Sequence, residues 1–324
     1  MRKTKVAALF LSLFFVLGHI NVGFSADFPK KPIRMIITYG PGGGTDIQAR
    51  AFQKSFEKEL GTKINIEYMP GGSSKVGTME VMKAIPDGYT IVLMSDMAWV
   101  GFYYSKTYDI RVWEKLTPIA NILTQPYGFI EVRVESPYKT WGDLGKAAKE
   151  NPGKMTCGAG TGVGGVQWFV MNDVIKAAGI DIRYVPFVGA GQSNIALLGG
   201  HVDFRICQAP EAITMIRAGK TRGLCVNSDK RLKALPDVPT FKELGLVKEG
   251  LTYSTTIWGP PNMPQDIVDI LTKAIERGTQ NPDFIKLAED ELLYKVEYWP
   301  PDKVRENLRN FDKKYGPRMA EAYK

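Results

Sequence analysis

The 324 residues carry 42 Lys and Arg against 34 Asp and Glu, a formal net charge of +8, and 44% of them are hydrophobic. The basic residues are scattered, neither gathered into runs nor interleaved with aromatics, which argues against a nucleic-acid groove. Three cysteines without metal-ligand spacing and two histidines exclude an ordinary zinc site.

The chain opens with Arg2, Lys3 and Lys5, then an apolar run from Val6 to Leu17, with Gly23 and Ser25 as small residues before Ala26. This is the pattern of a secretory signal peptide over residues 1–25. The run is too short for the roughly 20 residues that span a bilayer. Cleavage near Ser25 and Ala26 removes three basic residues, leaves a net charge of +5, and sends a soluble chain to the periplasm. A weakly positive surface favours small anions. About 300 residues remain, enough for two lobes with buried cores.

Short apolar runs then alternate with helical periodicity, which predicts α/β architecture with strands joined through helices. Strands are expected at 33–39, 64–69, 90–95, 119–124, 128–132, 154–159, 182–187, 203–207, 221–226 and 255–259. Helices are expected at 46–60, 76–84, 141–151, 165–179, 193–199 and 210–218. From Pro264 onward the segments 264–280, 282–291 and 301–323 read as helical, each opened by proline near its first turn. Cys157, Cys207 and Cys225 fall in strand-like stretches and read as small buried hydrophobes, with a Cys207–Cys225 disulfide left open.

Three strand-to-helix loops are rich in glycine. The first, GPGGGTD, contains Gly40, Gly42, Gly43 and Gly44, with Thr45 or Asp46 expected as the helix N-cap. Glycine lets backbone N–H groups face a ligand, and a helix N-terminus favours negative charge, so the loop suits an anion. A tight turn that binds nothing is the competing reading. The second loop places Gly160, Gly162 and Gly165 in G-x-G-x-x-G spacing with Asp181 farther on, which by itself also fits a dinucleotide site. The third is VPFVGAGQSN. Loops at the carboxyl edges of parallel strands can converge on one crevice.

Catalytic signatures are absent. There is no G-x-S-x-G elbow, H-E-x-x-H or kinase set, and His201 after a Gly-Gly pair reads as a capping or surface residue. The balance moves toward binding.

In order along the chain, PKKPIRMIITYGPGGGTDIQAR, PDGYT, LTPIANI, YVPFVGAGQSNIALLGGHVDF, ALPDVPTFKELG and WGPPNMPQDIVDILTKAI resemble the Bug-type solute-binding receptors of tripartite tricarboxylate transporters. The resemblance covers nearly the whole chain after the leader. It implies a two-lobed periplasmic binding protein fold of the type II kind, each lobe a mostly parallel sheet flanked by helices, joined by two hinge crossings. Lobe 1 would be 26–125 plus 253–324, and lobe 2 would be 126–252. A monomer is expected, with no cofactor, metal or nucleic acid. Its partners would be a small organic carboxylate and the membrane subunits of such a transporter.

The resemblance also implies a ligand-binding set. The first loop would give Tyr39, Gly40, Gly42, Gly43, Gly44 and Thr45. The next strand end would give Ser95 and Asp96, with Trp99 and Phe102 either lining the cleft or packing the lobe. The second loop would give Gly160, Gly162, Gly164 and Trp168. The third region would give Phe187, Gly189, Ala190, Gly191 and Asp203. Where many relatives read Tyr-Lys-Gly-x-Gly-Pro, this chain runs from Phe187 to Gln192 without the lysine, the tyrosyl hydroxyl or the proline. With Trp168 nearby, that departure predicts a ligand with an apolar or aromatic body. Asp96 would select an amine or hydroxyl on the ligand, or cap a helix. An exported nicotinamide oxidoreductase using the second loop, and a sensor for a signalling partner, are the alternatives.

Overall fold

A computed structural model describes residues 28–324, so the predicted signal peptide lies outside the described residues. The first three apolar runs form β1 (Ile33–Ile37), β2 (Ile64–Tyr68) and β3 (Thr90–Met94), with β1 parallel to both neighbours. They are linked by α1 (Gly44–Leu60) and α2 (Lys75–Lys83). β4 (Thr117–Pro126) and β10 (Thr252–Gly259) pair antiparallel from Thr252↔Pro126 to Gly259↔Thr117, and β10 also runs antiparallel to β3. β11 (Lys295–Trp299) closes the edge, giving the order β11-β4-β10-β3-β1-β2.

The second sheet has the order β7-β6-β8-β5-β9, built from β5 (Phe129–Arg133), β6 (Thr156–Ala159), β7 (Arg183–Pro186), β8 (Phe204–Cys207) and β9 (Thr221–Val226). Around it lie α4 (Trp141–Glu150), α5 (Val166–Ala178), α6 (Ala190–Leu198) and α7 (Ala209–Arg217). The chain passes between sheets at two adjacent points. β4 leads into β5, β10 returns, and the Tyr127 N–H donates to Leu251 O at 2.8 Å just beyond their pairing.

Each sheet is mixed rather than mostly parallel. The βαβ units are parallel, while the crossing strands β4 and β10, and β5 between β8 and β9, run against their neighbours. The C-terminal region adds a strand between its expected helical segments. After α8 (Gln265–Thr279), α9 (Pro282–Lys286) and a π turn at Leu287–Glu291, Tyr294, Val296 and Tyr298 alternate with Lys295 and Glu297. That period of two is a strand signal, and the Asn121 amide donates to Glu297 O at 2.6 Å to hold it.

The helix α3 (Met97–Tyr104) has no polar face, which hides it from periodicity, and it packs against α5 and α10 (Pro301–Ala322). α10 reaches the other lobe. Arg318 pairs with Asp173 at 2.8 Å, Lys314 with Glu249 at 2.7 Å, and the Tyr323 hydroxyl donates to Gly164 O at 2.9 Å.

All three cysteines are free and buried. Cys207 pairs with Phe129 and Cys225 with Ile130 on the two sides of β5, so two strand spacings of about 4.8 Å separate β8 from β9. A disulfide tolerates Cα atoms only up to about 6.8 Å apart, which answers the open question against the bridge.

Candidate functional site

The first loop ends at Gly43, which is the N-cap of α1 with extended backbone, so neither Thr45 nor Asp46 caps the helix. Asp46 instead reaches back from the first turn. Its carboxylate accepts from Gly42 N–H at 2.8 Å, Arg50 Nε at 2.8 Å and the Tyr68 hydroxyl at 2.6 Å. Gly42 has φ +79°, a conformation that favours glycine.

The third loop turns at Gly189, φ +100°, the N-cap of α6. The loops meet at Ala190. A Cβ added to Gly43 would lie 3.6 Å from Ala190 Cβ, and one added to Gly160 would come within 2.7 Å of Ala190 N. The glycine at 160 is therefore needed for loop packing, which accounts for one glycine of the dinucleotide-like spacing without a nucleotide.

Two adjoining cavities lie between the sheets. The inner, about 30 Å³, is lined by Tyr39, Gly43, Gly44, Thr45, Ala98, Tyr127, Gly160, Thr161, Val166, Gln167, Gly189, Ala190, Gln208, Glu211 and Tyr253. The outer, about 250 Å³, shares Tyr39, Gly160, Thr161 and Gly189 and adds Gly40, Gly162, Phe187, Phe102 and the 70–74 turn. The lobes are closed on each other, and the first-turn amides of α1 and α6 have no intrahelical carbonyl to bond.

Several expected residues lie elsewhere. Gly42 is exposed on the far side of its loop, and Gly191 lies behind Ala190 with Pro41 O as its neighbour. Trp168 lines neither cavity; it packs on Tyr323 with ring centroids 5.0 Å apart, because one residue of helix turns the side chain about 100° from Gln167. Gly164 is consumed by the contact with Tyr323. Asp203 is exposed and ties β8 to β6, accepting from Thr156 N–H and its hydroxyl at 2.7 Å. Trp99 belongs to the core, edge-on to Trp258 at 5.5 Å, whereas Phe102 both packs and lines the outer cavity.

Ser95 and Asp96 lie beneath the cleft floor, 1% and 0% exposed. Asp96 occupies the N-cap position of α3, but its side chain makes no cap bond; Oδ1 accepts from the Ser254 hydroxyl at 3.0 Å, and Oδ2 is buried without a protein partner. Burial pushes its carboxyl up to about 7.

A fourth wall went unread in the sequence. The first turn of α7 brings Gln208 and Glu211 into the inner cavity. Glu211 Oε1 accepts the Gly44 N–H at 2.9 Å across the two lobes, and a Cβ on Gly44 would overlap the Gln208 carboxamide. Gln208 Oε1 accepts from the Gln125 amide at 2.6 Å. Behind Glu211 lies Arg205, with Nη2 3.8 Å from Glu211 Oε2, and its Nε bonded to buried Glu131. Burial raises the Glu211 carboxyl, with Arg205 pulling against it. The signal was present: Glu131 and Arg205 interrupt the apolar strands FIEVR and FRIC, and a lone charge inside a strand needs a buried partner. Among the described residues there is no group of three or more His, Cys, Asp or Glu that could hold a metal ion, and no helix long and apolar enough to cross a membrane.

Two α/β lobes joined by paired crossings, with helix N-termini turned into the cleft between them, define a two-lobed periplasmic solute-binding receptor. The profile described as tripartite tricarboxylate transporter family receptor matches residues 48–307, and the chain belongs to that family. It is 32% identical to a UPF0065 protein of Bordetella pertussis over 275 residues, covering 85% of this chain and 83% of that one. The structure of the periplasmic binding protein BugD superposes with a TM-score of 0.83 at 26% identity, covering 91% of this chain and 98% of that one. MatC from Rhodopseudomonas palustris, solved with bound malate, shares the fold with a TM-score of 0.82 at 24% identity, covering 92% and 100%.

Proposed function

We infer that this protein is an exported receptor that captures a small carboxylate between its lobes and passes it, unchanged, to the membrane subunits of a tripartite tricarboxylate-type transporter. The supporting observation is the meeting of α1 and α6 N-termini across one cleft, at Gly43 and Ala190. Such termini are ready-made anion sites, and hydrogen bonds to a charged group are worth roughly 1.5 to 3 kcal/mol each, so a few offset the several kcal/mol of carboxylate desolvation. The lobes divide as 26–125 with 253–324 and 126–252, and the chain acts as a monomer after loss of residues 1–25. Tyr39, Tyr127, Tyr253, Ala98 and Val166 supply walls for a ligand with an apolar portion.

A thermal-shift screen of mono-, di- and tricarboxylates, aliphatic and aromatic, tests this reading, because a ligand in excess of its Kd raises apparent stability. Carboxylates with an apolar portion are expected to raise Tm, and NMR of the released ligand to show it unaltered. Hits confined to nicotinamide cofactors, or chemical conversion of the ligand, would refute it.

A further inference from the structure

Among the described residues, Glu211 is the only Asp or Glu lining the inner cavity, and no lysine, arginine or histidine lines it. The guanidinium behind it is already engaged, since Arg205 bonds Glu131 through Nε and Ala190 O through Nη1 at 3.2 Å. The buried cluster of Glu131, Arg205 and Glu211 thus holds two carboxyls for one cation. Glu211 takes the Gly44 N–H on Oε1 at 2.9 Å and, in the capping box of α7, the Gln208 N–H on Oε2 at 3.4 Å, each with acceptor capacity to spare, leaving the α6 terminus and the remaining first turn of α1 for an incoming carboxylate.

We propose, resting on the carboxylate-receptor reading above, that the cleft selects an aminocarboxylate, and that Glu211 recognises the ligand's ammonium while the helix N-termini take its carboxylate. A ligand with negative charge only would meet Glu211 as a like charge. At about 5 Å and an effective dielectric of about 20, that repulsion amounts to roughly a hundredfold in affinity, and an ammonium reverses its sign. Tyr39, Tyr127 and Tyr253 line the same cavity, and aromatic faces favour cations. Burial raises the Glu211 carboxyl while Arg205 pulls it down, and an ammonium brought beside it would favour the ionised form further.

The test uses matched sets on the purified full-length mature chain at pH 7.5 by calorimetry: alanine, leucine, phenylalanine and aspartate, each beside its 2-hydroxy and deaminated analogues. In the best-bound set the amino member is expected to bind at least tenfold tighter than both analogues. Glu211→Gln should erase that preference and Glu211→Asp retain it, with a thermal melt confirming that each variant folds. Equal or tighter binding of a hydroxy or deaminated acid by the wild type overturns the proposal while leaving the carboxylate receptor intact. If these acids and the wider carboxylate screen all fail to bind, the receptor reading itself falls, and this inference with it.

Discussion

Replacing Asp96 by Asn should stabilise the protein at alkaline pH and leave it nearly unchanged at acid pH. The carboxyl is 0% exposed, one oxygen has no protein partner, and its value is pushed from an ordinary 3.8 to about 7 by burial. The folded state therefore holds the proton more tightly than the unfolded state. A group raised in this sense contributes its full stability below 3.8 and loses it as pH rises through 7. The span converts to about 4 kcal/mol at 1.36 kcal/mol per pH unit. Carboxylates held low by partners, such as Glu67 bonded to Arg34, act in the opposite direction at acid pH, so the informative quantity is the difference between wild type and D96N. Urea unfolding should show that difference growing from near zero at pH 4 toward about 4 kcal/mol at pH 8. A difference independent of pH, or D96N less stable than wild type at pH 8, would show that Asp96 is ionised and well solvated in the folded protein.

Gly44→Ala, at the first residue of α1, sets a methyl onto the Gln208 carboxamide in the closed cleft, an overlap that the ligand-free lobes relieve by parting. The variant should keep its ligand-free Tm while losing at least tenfold in affinity for the best carboxylate of the screen, measured by calorimetry. Arg205→Ala strands Glu131 and Glu211 in the interior and should cost about 3 to 5 kcal/mol in urea unfolding. Tyr323→Phe removes a neutral hydrogen bond between the lobes, worth about 1 kcal/mol, and should weaken ligand binding about fivefold, with a more open ligand-free form by small-angle scattering. The three buried thiols, all raised by burial, should resist thiol reagents in the native protein and react together only on unfolding.

Strand and helix existence was legible because short apolar runs bounded by glycine and proline have few other ways to fold. The glycine loops were legible for the same reason: Gly42 and Gly189 need positive φ, and Gly160 needs the space that Ala190 fills. β11 and α3 were missed where a local rule was outweighed, by proline-led helical segments in one case and by an apolar surface without periodicity in the other. Residues carried over by resemblance do not all face the cavities, since neighbouring chain positions can face the cleft or turn away. Gln167 lines the cavity and its neighbour Trp168 does not; Tyr253 lines it and Ser254, one residue on, lies beneath holding Asp96.

Local pattern by itself determined the α/β class and the glycine turns, because periodicity and turn chemistry act over a few residues, while the receptor family was legible only as a resemblance of motifs along the whole chain. Only the tertiary structure decided what stands in the cleft. Gly44 and Glu211 are 167 residues apart, and no local rule relates them; it takes two strand edges folding toward each other to set a carboxylate on a helix terminus.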